Sequence, residues 1–220
     1  MGGDVESEAI MVIEAPEKFL TPALAPIVRE ISADLETPTS AYLKLRRNGP
    51  SFLLESVEGG EQVARYSFIG VEPRCVYTLR GRTLERSENG ETQILTAPPD
   101  SDPFRMLEEE MSRLGTPVLP NSPGKLPRFL GGLVGYLGFE CVRYFEPRLD
   151  PLLHPSPLPE AVFLLADTIV AFDHVRNSMF LIAYPFDGEK EARKKLNTLE
   201  KRLRKPLAAE PARASGAAAP

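Results

Sequence analysis

The residues able to do chemistry in this 220-residue chain are few, and their spacing limits what they can do. His154 stands in a proline-rich loop and His174 in a turn, with no cysteine beside either, which is a poor set of metal ligands. Cys75 and Cys141 form no Cys-x-x-Cys pair and sit among apolar residues, so they read as buried, reduced thiols. Gly131, Gly132, Gly135 and Gly138 invite a phosphate-loop reading. The Gly-x-Gly-x-x-Gly spacing is absent, however, and no Gly-Lys-Ser/Thr follows. Glycines along a strand mark close backbone approach or a bulge instead. No Gly-x-Ser-x-Gly elbow and no Cys–His pairing is present.

Carboxylates in apolar runs are the more unusual feature. Asp167 and Asp173 lie within EAVFLLADTIVAFDH, where a charge is costly to bury unless it is paired or hydrogen-bonded. Asp167 therefore requires a partner. Glu55-Ser56, at the end of the apolar SFLLESV, reads as a strand edge reaching water.

The elements that position these residues follow from pattern. PIVREISADL (26–35) reads as a first strand, and Thr37-Pro38 opens a helix over 38–47 that Asn48-Gly49-Pro50 stops. SFLLESV (51–57) is a strand, and 65–81 is a second one interrupted near Pro73. Asn89-Gly90 closes a hairpin, because this dipeptide accepts positive φ at both central positions. Asp102-Pro103 starts a helix whose Phe104, Leu107, Met111 and Leu114 recur at helical spacing. The run 128–139 is a glycine-rich strand. Residues 160–174 read as one central strand, hairpinned to 178–185 through Val175-Arg176-Asn177. Ala192, Leu196, Leu199 and Leu203 form the apolar stripe of a last helix, with Asp187 as its cap. The fold class expected is α+β, with sandwich-like antiparallel sheets and flanking helices.

Composition excludes several classes. With 26 Lys+Arg against 31 Asp+Glu the net charge is −5, and no basic stripe for nucleic acid is present. Hydrophobic residues make up 42%, enough to bury a core. No apolar stretch approaches the roughly 20 residues that cross a bilayer, and the acidic N-terminus lacks the basic flank of a secretory signal. A soluble, cytoplasmic protein is expected.

Taken in order, several blocks resemble the N-terminal region of anthranilate synthase component I, a chorismate-utilising family. They are Thr37-Pro38, Ala41 to Leu45, Ser51 to Gly60 (SFLLESVEGG), Arg65 to Gly70 (RYSFIG), Gly131 to Tyr136 with Val142 to Glu146, and Ala166 to His174. The resemblance spans about 25–204. It divides the chain into an N-terminal extension (1–24), one domain (25–204) and a tail or linker (205–220).

In that family the enzyme converts chorismate and ammonia, or glutamine, to anthranilate and pyruvate, the first committed step of tryptophan biosynthesis. The resemblance implies a feedback site for L-tryptophan lined by Leu54, Glu55, Ser56, Arg65 and Tyr66. Leu53 or Leu54 would offer an apolar wall, Glu55 a partner for the ammonium, and Ser56 with Arg65, or with Tyr66 in the place of Arg65, would meet the carboxylate. It further implies a glutamine amidotransferase subunit as partner. Mg²⁺ is implied for the complete enzyme, held by the catalytic C-terminal half. Motifs of that half, such as Pro-Glu-Arg-Phe and Gly-Thr-Arg-Pro-Arg-Gly, do not occur here. The chain alone is therefore expected to be catalytically inactive, to bind no metal, and to leave apolar surface uncovered. Aminodeoxychorismate synthase component I of the folate branch shares the architecture and stands as the alternative, beside a free-standing amino-acid-binding module.

Overall fold

A computed structural model describes residues 24–55, 65–99, 101–115, 126–154 and 156–207. The elements run β1 (Ile27–Ser32), α1 (Pro38–Leu45), β2 (Ser51–Leu54), β3 (Tyr66–Val71), β4 (Cys75–Arg80), β5 (Thr83–Glu88), β6 (Glu91–Thr96) and α2 (Phe104–Arg113). Next come β7 (Gly132–Leu137), two 3-10 segments (Phe139–Tyr144 and Pro147–Leu152), β8 (Ala161–Ala166), β9 (Thr168–Asp173), β10 (Ser178–Ala183) and α3 (Glu189–Leu203). They form two five-stranded antiparallel sheets, β1-β10-β9-β3-β2 and β6-β5-β4-β8-β7. The α+β expectation holds.

Local chemistry accounts for most of these elements. Thr37 and Ser40 form a reciprocal capping box, with Thr37 Oγ1 accepting from the Ser40 amide at 3.1 Å and Ser40 Oγ from the Thr37 amide at 2.9 Å. Pro38 then begins α1 with φ already set. Asn89 and Gly90 take φ of 53° and 85°, the paired positive values of a tight hairpin turn between β5 and β6. Asp102 Oδ1 accepts the Phe104 amide at 2.9 Å, which supplies the expected cap for α2. Gly135 in β7 lies so close to β8 that a Cβ there would stand 1.8 Å from the Val162 carbonyl oxygen. Close packing, and not phosphate binding, explains that glycine.

Two expectations need correction. Residues 160–174 are not one strand. β8 belongs to the second sheet and β9 to the first, and the chain crosses between them at Asp167. A continuous apolar run carries no mark of which sheet each half joins, so pattern alone merges them. Asp187, expected to cap α3, makes no such bond: the cap position is Gly188, and Asp187 instead accepts from Arg74 Nη1 at 2.6 Å. In addition β2 ends at Leu54, short of the expected 57, with 56–57 outside the described residues.

The core lies on both faces of the first sheet, where every residue of β9 and β10 is buried. Ala192, Leu196, Leu199 and Leu203 of α3 pack with Leu45 of α1 on Val170, Phe172 and Leu181. Leu130, Phe129 and Tyr184 pack on the opposite face, against Ile169, Ala171 and Phe180. In the second sheet α2 sets Leu107 against Tyr77, Leu79 and Leu165. Around the outer strand β7, the side chains of Tyr136, Leu137, Phe139, Phe145, Leu152 and Leu158 are exposed.

Candidate functional site

β2 is an outer strand, so one side of its backbone is not used by the sheet. In the antiparallel register Leu54 stands opposite Phe68, and Tyr66 stands opposite Asp173. Residues directly opposite share a face, as do residues two apart on one strand. Leu54, Phe68, Tyr66 and Asp173 therefore project from a single face at one end of the first sheet. Leu54 is 45% exposed there, and Glu55, which follows it, is exposed. Tyr66 and Phe68 have ring centroids 6.2 Å apart, and Phe129 meets Phe68 edge-on at 5.3 Å. The result is an apolar, largely aromatic shelf beside an open strand edge.

Arg65 closes one end of this shelf. Its guanidinium carbon lies 4.8 Å from the Tyr66 ring centroid, a cation–π contact. Its Nε and Nη2 donate to the two oxygens of Asp173 at 3.1 and 2.7 Å, the parallel fork that binds carboxylates most strongly. Asp173 is buried, and its Oδ1 also accepts the backbone amides of Val175 and Arg176 at 3.1 and 3.3 Å. Burial pushes the Asp173 carboxyl up. The Arg65 fork and the two amides outweigh it and hold the group below its ordinary value. One residue beyond Tyr66 and beyond Asp173, on the other face, Ser67 Oγ and His174 Nε2 are 2.8 Å apart, and the His174 amide donates to the Arg65 carbonyl at 2.9 Å.

Of the five residues expected to line one site, the structure brings Leu54, Arg65 and Tyr66 to one end of one sheet. Glu55 follows at the strand terminus, and Ser56 lies outside the described residues. The sequence reading missed that Arg65 is already engaged by Asp173. The two are 108 residues apart, so no local spacing could reveal the pair. Asp167 has its required partner, since Lys195 Nζ donates to Oδ2 at 2.6 Å and Thr168 Oγ1 to Oδ1 at 3.1 Å.

The remaining chemistry-bearing residues lie apart from this shelf. Cys75 and Cys141 are buried and free, and burial pushes both thiols up, away from reactivity. Among the described residues no three His, Cys, Asp or Glu side chains converge where a metal could be held. No helix among them is long and apolar enough to cross a membrane.

The chain matches the chorismate binding enzyme family over residues 49–219, and it belongs to that family. It is similar to anthranilate synthase component 1 of Pseudomonas aeruginosa, 39% identical over 83% of this chain, and of Acinetobacter calcoaceticus, 36% identical over the same share. It spans 37% of the length of each of these two relatives. A crystal structure of anthranilate synthase component I from Streptococcus pneumoniae aligns with a TM-score of 0.48 and 22% identity, over 80% of this chain and 37% of that one. The family assignment rests on the sequence matches.

Proposed function

We propose that this chain is the N-terminal regulatory and scaffolding portion of an anthranilate synthase component 1, and that it contributes the feedback site for L-tryptophan. In this reading the complete enzyme acts on chorismate as a lyase, takes ammonia from a glutamine amidotransferase subunit, and uses Mg²⁺ held outside these residues. It works in the cytoplasm. The chemistry resides in the part of the relatives that this chain does not span.

The observation that carries the effector reading is the shelf of Leu54, Phe68 and Tyr66 at an open strand edge, ended by Arg65. An indole stacks on an aromatic, apolar surface, and a guanidinium suits an α-carboxylate. Nη1 of Arg65 has no partner among the described residues, so donors remain for a ligand while the fork to Asp173 stays closed. Glu55 is exposed at the neighbouring strand end, with a carboxylate for the ammonium.

The test is anthranilate fluorescence from chorismate, Mg²⁺ and ammonium. The chain is assayed alone and then with a separately expressed polypeptide covering the remainder of a relative, each with and without tryptophan. Activity that appears only on mixing and falls with tryptophan is the expected result. Turnover by the chain alone would overturn the division of labour. 4-Amino-4-deoxychorismate as the product would assign the chain to the folate branch.

A further inference from the structure

Asp173 is the most heavily engaged carboxylate at the edge of the shelf. Its side chain is fully buried, whereas that of Arg65 is 29% exposed. Four donors reach it: Nε and Nη2 of Arg65, and the amides of Val175 and Arg176 in the β9–β10 turn. Arg176 Nε adds a longer ionic contact at 3.9 Å. A carboxylate held by two backbone amides of its own turn cannot swing with its partner. It is a fixed post, and Arg65 is the movable member.

That arrangement sets the direction of the guanidinium. With Nε and Nη2 turned toward Asp173, the planar group lies over the Tyr66 ring and its Nη1 edge is the part left for another acceptor. An arginine without such a post samples many rotamers and loses entropy whenever it orders around a ligand. One already held in place avoids most of that cost. The second link between the same segments, Ser67 Oγ to His174 Nε2 at 2.8 Å, fixes the turn against β3 from the neighbouring position.

We infer that Asp173 is a positioning residue for ligand recognition. It presents Arg65 to the free α-carboxylate of an aromatic amino acid lying on the Leu54–Phe68–Tyr66 shelf, and so makes the site selective for the carboxylate over its amide. This inference rests on the effector reading of the shelf. It adds the residue that decides which end of the ligand is read.

The chain contains no tryptophan, so the indole emission of an added ligand is seen without protein background. L-Tryptophan and L-tryptophanamide are titrated into the full chain and into Asp173→Asn. The wild type is expected to hold L-tryptophan at least tenfold more tightly than the amide. In D173N that ratio falls to near one through loss of L-tryptophan affinity, with the amide unchanged. A variant that weakens both ligands equally, or that keeps the ratio, overturns the inference. Should D173N lose its cooperative thermal transition, Arg65→Lys is used instead. It keeps the charge but not the fork and is expected to lose the same ratio; retention of the ratio overturns the inference. Saturable binding that Ser56→Ala or Leu54→Ala weakens, with Asp173→Asn selectivity intact, removes the role of Asp173 and leaves the shelf as the site. No saturable binding by the wild type removes both.

Discussion

Lys195 Nζ lies 2.6 Å from Asp167 Oδ2, which ties α3 to the one residue where the chain leaves the second sheet and enters the first. The other crossing, between β3 and β4, is held by the same helix: Arg202 grips the Glu72 carboxylate with Nη1 at 2.5 Å and Nη2 at 3.2 Å. Glu72 carries a φ of 52°, a conformation that side chains other than glycine seldom adopt. Arg74, two residues on, reaches Asp187 ahead of α3 at 2.6 Å and Glu88 of β5 at 3.1 Å. Both passages between sheets are thus pinned by ion pairs to α3 and its approach, while Leu196 and Leu199 seat the helix on the first sheet.

Removing the cation at the first crossing leaves a buried carboxylate without its strongest partner. Lys195→Met is expected to lower stability by about 1–3 kcal/mol. The value stays below that of a fully enclosed pair, since Lys195 is 37% exposed and its charge is screened. Urea unfolding measures it, and Asp167→Asn in the same chain should recover part of the loss. Equal midpoints for K195M and the wild type would show that Thr168 suffices for Asp167.

Gly135→Ala tests the contact between β7 and β8. A Cβ there meets the Val162 carbonyl at 1.8 Å, and backbone on both strands must shift. The expected cost is about 1–3 kcal/mol or more. Gly49→Ala has nothing within 4 Å and serves as the control, within about 0.5 kcal/mol of the wild type. Thermal melting of both variants separates a packing requirement from general glycine flexibility; equal shifts would refute the packing account.

Ser56→Ala addresses regulation in the complemented enzyme. If Ser56 serves the effector alone, the tryptophan concentration for half-inhibition rises by about 5–150-fold, the range of an ordinary allosteric coupling. Uninhibited turnover stays near that of the wild type. A matched loss of turnover would put Ser56 in the catalytic machinery.

Acid should weaken the fold through its paired carboxylates. Bonds from Arg74 lower Asp187, and those from Arg204 and Arg29 lower Glu200. At Asp173 burial raises the group, but the Arg65 fork prevails and its folded value also lies below the ordinary 3.8. A carboxyl whose folded value is lowered contributes stability that is complete above its unfolded value and is lost as pH falls through the folded one. The denaturation midpoint should therefore be flat from neutral pH to about 5 and decline steeply below about 4. Asp173→Asn, less stable at neutral pH, should show a shallower decline. A midpoint unchanged down to pH 3 would contradict the ion-pair assignments.

Much of this molecule was legible in the sequence because the deciding forces act over short distances. The box of Thr37 and Ser40, the Asn89-Gly90 turn and the spacing of Ala192, Leu196, Leu199 and Leu203 each involve neighbours within a few residues or one helical face. The blocks that resemble anthranilate synthase component I were equally readable, since family patterns reside in residue order. Tertiary structure alone decided the rest. The apolar run 160–174 could not show that Asp167 divides it between two sheets, because both halves are almost wholly apolar and carry no mark of the sheet each one joins. Nor could it show that Asp173 engages Arg65 across 108 residues, or that Lys195 answers Asp167 across 28. A buried carboxylate announces that it needs a partner, since an unpaired charge is costly away from water. Which partner it finds depends on strand register and helix docking, and those are set by the packing of the whole core.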